Sequence, residues 1–232
     1  NIPGVEGHCN GRDALFLTRS HGRTGVAPHD VNYRGNILAL KAFGAECVLA
    51  TCIVGSLSNS IPAGSLLVLD QFLDFTRRRS TTIFDERGFA FVDVTDPYCH
   101  GIRDAILKAS LCVSRSVLGR GCYVGVDGPR YETRAEIEMY RRLGGDVIGM
   151  TNIPEVVMAR EAGLCYAALA FVSNLGAGLN AQPICREDNY EATIAGSDDI
   201  CAVLRAALSE IVLDPECWCR RAAAEFIDSS VK

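Results

Sequence analysis

GMTNIPEVVMAREAGLCYAALAFVSN, residues 149–174, carries the reading of the fold. It begins at the end of a short apolar run, DVIGM (146–150). Pro154 sits in the first turn of a predicted helix that stops at Gly163, the usual placement of these two residues at helix ends. From Tyr166 to Ser173 the chain is then small, apolar or aromatic and without charge, the pattern of a strand buried on both faces. Strand, helix and strand in succession make the repeating unit of an α/β sheet covered by helices. Outward from this stretch the alternation continues. ALFLTR (14–19), CVLATCIVGSL (47–57), SLLVLDQFLDF (65–75) and GCYVGVDG (121–128) read as strands. Helices are predicted over 31–45, about 97–118, 133–144 and about 198–213, the third opening with a capping box of Thr133 and Glu136. The expectation is a single α/β domain over residues 1–232, with a central mixed, mostly parallel twisted sheet flanked by helices. There is no internal repeat, low-complexity block or linker.

Composition narrows the function. Of 232 residues, 48% are hydrophobic and the mean hydropathy is +0.14, enough for a substantial core. No apolar run approaches the roughly 18 residues that span a bilayer, so no membrane partner is expected. A net charge of −5 argues against a nucleic-acid backbone as partner. The start, NIPGVEGHCNGRD, has neither the basic nor the apolar region of a secretory signal. Eleven cysteines without a CxxC pair suggest buried thiols in a reducing cytoplasm. Cys217 and Cys219, in ECWCRR, read as two thiols at a helix start, with a redox pair or a metal-ligand pair as the alternatives.

Several predicted strands end in chemically useful residues: Arg19-Ser20-His21, Gly55-Ser56, Asp127-Gly128, Met150-Thr151 and Ser173-Asn174. In a parallel sheet these ends share one edge, where ligands bind. In GPRYETRAE (128–136), Glu132 immediately precedes a helix N-cap and Tyr131 offers an aromatic face, a combination suited to a planar heterocycle bearing an N–H. Thr151 stands at a helix start, as an anion seat or as a plain cap. Arg19, followed by Arg23 and Arg34, supplies guanidinium groups of the kind that grip phosphate. Asn174 is either a turn residue or a ligand contact.

Taken together, HDVNYRGNILALKAFGAECVLATCIVGSL, GSLLVLDQFLDFT, DPYC, GPRYETRAE and MTNIPEVVMAREAGLCYA resemble the trimeric class of purine nucleoside phosphorylases, in the branch that contains methylthioadenosine phosphorylase. The likeness runs from about residue 14 to 213. The family's opening strand and Gly-rich turn have no counterpart in NIPGVEGHCNG and are expected to be missing.

The resemblance implies roles. Phosphate would be held by Arg19, the backbone at Cys52–Ile53, Thr151 and His21, the last by a one-residue shift of the family's Arg-His-Gly-Arg motif; a gapless match puts Ser20 there instead. Met150 would pack under the ribose, Ser173 would border the substrate, Tyr131 would lie against the purine, and Phe91 would reach a neighbouring subunit's ribose site. Ser197 would meet a 5′-hydroxyl, or Ile200 would line a methylthio pocket. Asn174 donating to O6 and N7, and Glu132 accepting the N1–H that adenine lacks, imply a 6-oxopurine base. The implied reaction is reversible phosphorolysis of inosine, guanosine or methylthioinosine by a homotrimer or dimer of trimers. Inorganic phosphate is the co-substrate, with no cofactor and no metal. A methylthioadenosine phosphorylase and a non-catalytic purine-binding relative are the alternatives.

Overall fold

The computed structural model describes residues 2, 4–20, 26–84, 88–181, 183–221 and 226–228. Strands β1 (Val5–Cys9) and β2 (Arg12–Phe16) form an antiparallel hairpin of their own. Helix α1 (Tyr33–Phe43), β3 (Cys47–Ser56), β4 (Leu66–Val68), β5 (Gln71–Asp74), β6 (Gly88–Ala90) and α2 (His100–Ala109) follow. Next come β7 (Val117–Leu118), β8 (Cys122–Gly125), α3 (Arg134–Arg142), β9 (Val147–Gly149), α4 (Glu155–Glu161) and β10 (Cys165–Leu175). Helices α5 (Arg186–Glu210) and α6 (Trp218–Arg221) and strand β11 (Phe226–Asp228), which pairs with β6, close the described chain.

The main sheet has seven strands in the order β5-β8-β9-β3-β10-β4-β7. Four neighbouring pairs are parallel and two, β3 with β9 and β10 with β4, are antiparallel. The long central pair β3–β10 therefore runs against the other five strands. Period-two alternation along β10 builds both halves of the core. Tyr166, Ala168, Ala170 and Val172 face one cluster with Ile37 of α1 and Val156 of α4. Ala167, Leu169 and Phe171 face another with Ile102 and Ile106 of α2 and Val203 and Ala207 of α5. Because β10 is apolar on both sides, it must lie between helices, and it does.

The α/β sheet flanked by helices matches the expectation, with four local corrections. The run 65–75 is two strands, not one. Asp70 breaks it, because its carboxylate accepts the Gly121 amide hydrogen at 2.9 Å, and the chain then crosses to the other end of the sheet. The predicted strand 14–19 belongs to the outer hairpin, where Phe16 is 67% exposed. The helix expected over 97–118 ends at Ala109, where Ser110 Oγ turns back to the Leu107 carbonyl (2.7 Å). The last long helix starts at Arg186 rather than near 198, which matters for the site.

Candidate active site

A cavity of about 510 Å³ lies over the β9–β3–β10 segment of the sheet. The antiparallel β3–β9 register pairs Gly55 with Ile148. Continued past Gly149, it brings Thr151 beside Cys52. This is why the ends of β9 and β3 meet at one cavity although the strands run in opposite directions. The shared carboxyl edge expected from the sequence holds within the parallel pairs β3–β10 and β8–β9, and the antiparallel β3–β9 crossing brings the two pairs together.

One end of the cavity is cationic. Arg19 is pinned by Glu155, a buried carboxylate of α4, with Nε–Oε1 3.0 Å and Nη2–Oε2 2.7 Å, and Nη1 donates to the Thr51 carbonyl at 2.7 Å. A guanidinium has five N–H donors, so two remain for a ligand. Burial alone would lower the Arg19 pKa, but the Glu155 carboxylate more than reverses that and raises it. Glu155 is held in turn. Tyr166 Oη donates to Oε2 at 2.6 Å, Asn152 Nδ2 donates to Tyr166 Oη at 3.0 Å, and Tyr98 Oη donates to Asn152 Oδ1 at 2.5 Å. Tyr123 Oη accepts the Thr151 amide hydrogen at 3.0 Å and fixes the turn into α4. Burial pushes the Cys52 thiol up to about 12, so it stays neutral at this end.

The other end carries carboxamide and carboxylate. Between Val172 and Asn174 the β10–β3 ladder slips by one residue, leaving Ser173 as a bulge. In a regular strand Ser173 and Asn174 would face opposite sides of the sheet; the bulge lets both line the cavity. Ser173 Oγ donates to Asn174 Oδ1 at 2.8 Å, and one Nδ2 hydrogen goes to the Leu175 carbonyl at 2.9 Å, leaving the other without a partner among the described residues. Across from them is the 128–133 segment. Arg130 binds Glu136 through both nitrogens (2.6 and 2.8 Å) and the Tyr131 carbonyl at 3.0 Å. Thr133 and Glu136 form the predicted capping box. Gly128, at φ +64°, lies against Met150; a Cβ there would come within 2.3 Å of the Met150 sulfur. Burial raises the Glu132 pKa from its ordinary value, outweighing a backbone hydrogen bond and the Arg130 charge that lower it.

Nine of the predicted residues line this cavity: Arg19, Cys52, Ile53, Tyr131, Glu132, Met150, Thr151, Ser173 and Asn174. Ser20 lines it as well, while His21 and Arg23 lie outside the described residues. Three predicted positions do not line it. Phe91 is 72% exposed and edge-on to Phe89 at 5.4 Å. Ser197 donates to the Ile194 carbonyl and Ile200 packs on the α2–α5 core. The early start of α5 is the physical reason: Asn189, in its first turn, reaches the cavity and donates to Tyr131 Oη at 3.2 Å. Ser197 lies eight residues further along, about 12 Å at the rise of an α-helix. Sequence reasoning missed Asn189 and Glu155. The signal for the latter was a carboxylate at the start of a helix, directly before the apolar run Val156–Ala159.

The Phosphorylase superfamily matches residues 16–209 of the chain. The chain belongs to this family. Among its phosphorylase relatives, the 6-oxopurine nucleoside phosphorylase of Pyrococcus furiosus is 41% identical over 217 residues, 90% of this chain and 82% of that protein. The probable S-methyl-5′-thioinosine phosphorylase of Methanothermobacter thermautotrophicus is 40% identical over 213 residues, 92% of this chain and 74% of that protein. A solved methylthioadenosine phosphorylase from an Antarctic soil metagenomic library superposes with a TM-score of 0.90 at 31% identity, covering 97% of this chain and 80% of its own. The fold of this phosphorylase is thus that of its structural neighbours. No described helix is long and apolar enough to cross a membrane.

Proposed function

We propose that the chain is a purine nucleoside phosphorylase acting on 6-oxopurine nucleosides, either inosine and guanosine or 5′-methylthioinosine. One observation carries the reading: a half-buried carboxylate, Glu132, and an amide donor on Asn174 line the same cavity as Arg19 and Thr151. A 6-oxopurine presents an N1–H to the carboxylate and O6 and N7 to the amide, and adenine reverses the first requirement. Unmatched polar pairs in a closed site are what reject the wrong base. From Cys52 to Gly55 along β3 is about 10 Å, a span suited to phosphate at one end, sugar over Met150, and base at the other. The names of the Pyrococcus and Methanothermobacter relatives support the same class.

In this reading the phosphate oxygen attacks C1′ as the C1′–N9 bond loosens. The dianion stabilises the cationic sugar, and Asn174 donates to the base as it takes up negative charge. Positioning and preorganised electrostatics carry the rate. The products are a free base and a sugar 1-phosphate. We place Phe91 at the edge of a neighbouring copy's site in a homotrimer, or in a dimer of trimers; its exposure supports that placement. A cytoplasmic setting is supported by eleven cysteines that are all free.

A phosphorolysis panel of inosine, guanosine, adenosine, methylthioadenosine and methylthioinosine tests the reading. Phosphate-dependent hypoxanthine or guanine release is expected, with the 5′-hydroxyl and 5′-methylthio arms giving the sugar preference. Turnover of the adenine nucleosides alone would move the chain to the methylthioadenosine type, and binding without turnover would sink the enzyme. A second expectation concerns pH. If ionised Glu132 accepts N1–H, activity falls as pH drops through its folded pKa. Burial raises that pKa, so the acid limb of kcat/KM should lie above the ordinary glutamate range of about 4.3. Glu132→Gln should remove that limb and lower kcat/KM on inosine by roughly 100-fold, the cost of one charged hydrogen bond. An acid limb unchanged in Glu132→Gln would assign it to another group.

A further inference from the structure

Four cysteines from three separate stretches of the sequence meet at the far end of β10 from the active site. Cys99 is the N-cap residue of α2, Cys165 opens β10, and Cys217 and Cys219 flank Trp218 at the start of α6. Their sulfurs all lie within 4.8 Å of one another, and the Cys99 and Cys217 sulfurs are 3.8 Å apart. We propose that these four thiolates form a tetrahedral site for a soft divalent cation, zinc in the first place. A Zn–S bond of about 2.3 Å sets the edge of a ZnS₄ tetrahedron near 3.8 Å, whereas a disulfide needs about 2.05 Å.

The surroundings fit such a centre. Three of the sulfur-bearing residues are buried and Cys217 is partly so. Four thiolates on one dication leave a net charge of −2, and two arginines lie close to it, one of them, Arg220, also paired with Glu46 at 2.8 Å. The buried Arg160 carries its charge towards Cys219, and Arg220 lies against Cys165. Arg220 Nε is buried and lacks a hydrogen-bond partner among the described residues, which leaves it available for a sulfur. A cavity of about 380 Å³ reaches the cluster and provides an entry path. On binding, four thiol protons leave to solvent, four metal–sulfur bonds form, and no electrons are transferred. Nine residues of strand, about 30 Å, separate Cys165 from Asn174. The role is therefore structural: the metal ties the segment after α5 to β10 and to the start of α2. Of the four, only Cys217 and Cys219 are close in the chain, the pair for which the sequence leaves metal ligation open as an alternative.

The test is elemental analysis of the full chain purified under reducing conditions, followed by exchange of the metal for Co²⁺. Stoichiometric zinc is expected. The cobalt form should show the intense near-ultraviolet thiolate-to-metal charge transfer and the visible bands of a tetrahedral tetrathiolate. Cys217→Ser/Cys219→Ser should lose both, while Cys112→Ser and Cys201→Ser, at exposed positions, should keep them. If the double variant does not fold, the cobalt spectrum of the unsubstituted chain still decides. A chain that takes up neither metal with its thiols free, or one whose four sulfurs are oxidised to two disulfides after purification without oxidant, would overturn the proposal.

Discussion

Asn174→Asp is expected to cut kcat/KM on inosine or methylthioinosine by roughly 10²–10³-fold, the range found when one preorganised donor to a developing anion is lost. The geometry explains the size. Ser173 Oγ already occupies Oδ1, and Leu175 takes one of the two Nδ2 hydrogens. The single remaining N–H is what the site offers to O6 and N7. An ionised aspartate would present oxygen in its place and repel the charge that builds on the leaving base. A protonated one could still donate to N7 and is compatible with a 6-amino group, so the ratio of adenosine to inosine turnover should rise. The swap is nearly isosteric at a partly buried strand end, so the melting temperature should move by only a few degrees. Inosine turnover equal to that of the unsubstituted chain would remove Asn174 from the reaction and leave the base preference unexplained.

The base end was legible because its determinants are contiguous. Tyr131, Glu132 and the capping box fall within six residues, and Ser173–Asn174 are adjacent at the end of an unmistakable strand. What could not be read was the device that aims them. A one-residue bulge leaves no mark in composition, yet it decides which side of the sheet Asn174 faces. The direction of β9 was hidden for the same reason. Hydrophobic pattern fixes that a segment is a strand, and the strand placed between β9 and β10 fixes its sense. Helix α5 shows a different limit. Its first turns, REDNYEATIAG, are polar and carry little apolar stripe, so periodicity locates only the later, packed half around Val203 and Ala207. Asn189 therefore escaped notice, and Ser197 and Ile200 were expected at the cavity in its stead. The cysteine cluster is the extreme case, since its members come from three places that only the tertiary fold joins.

Arg19 offers a test that separates folding from phosphate use. Its side chain is 21% exposed and its partner Glu155 8%. Arg19→Met alone leaves Glu155 buried without its cation, and breaking such a pair costs about 3–5 kcal/mol. At about 2–4 °C per kcal/mol for a domain of this size, the melting temperature should fall by on the order of 10 °C. Phosphate-dependent turnover should fall steeply as well, but from this variant alone the two losses cannot be told apart. Arg19→Met/Glu155→Met separates them. Replacing both members of a buried pair by apolar groups of similar volume is often neutral in stability, although here Tyr166 Oη would lose its acceptor and part of the deficit, about 1–3 kcal/mol, should persist. The double variant should thus regain much of the lost melting temperature while its KM for phosphate stays raised by at least about tenfold. The anion would have lost the two guanidinium N–H groups that Glu155 and Thr51 leave free. Recovery of phosphate affinity together with stability would mean that Arg19 serves the fold alone. The anion seat would then rest on Thr151 and the backbone at Cys52.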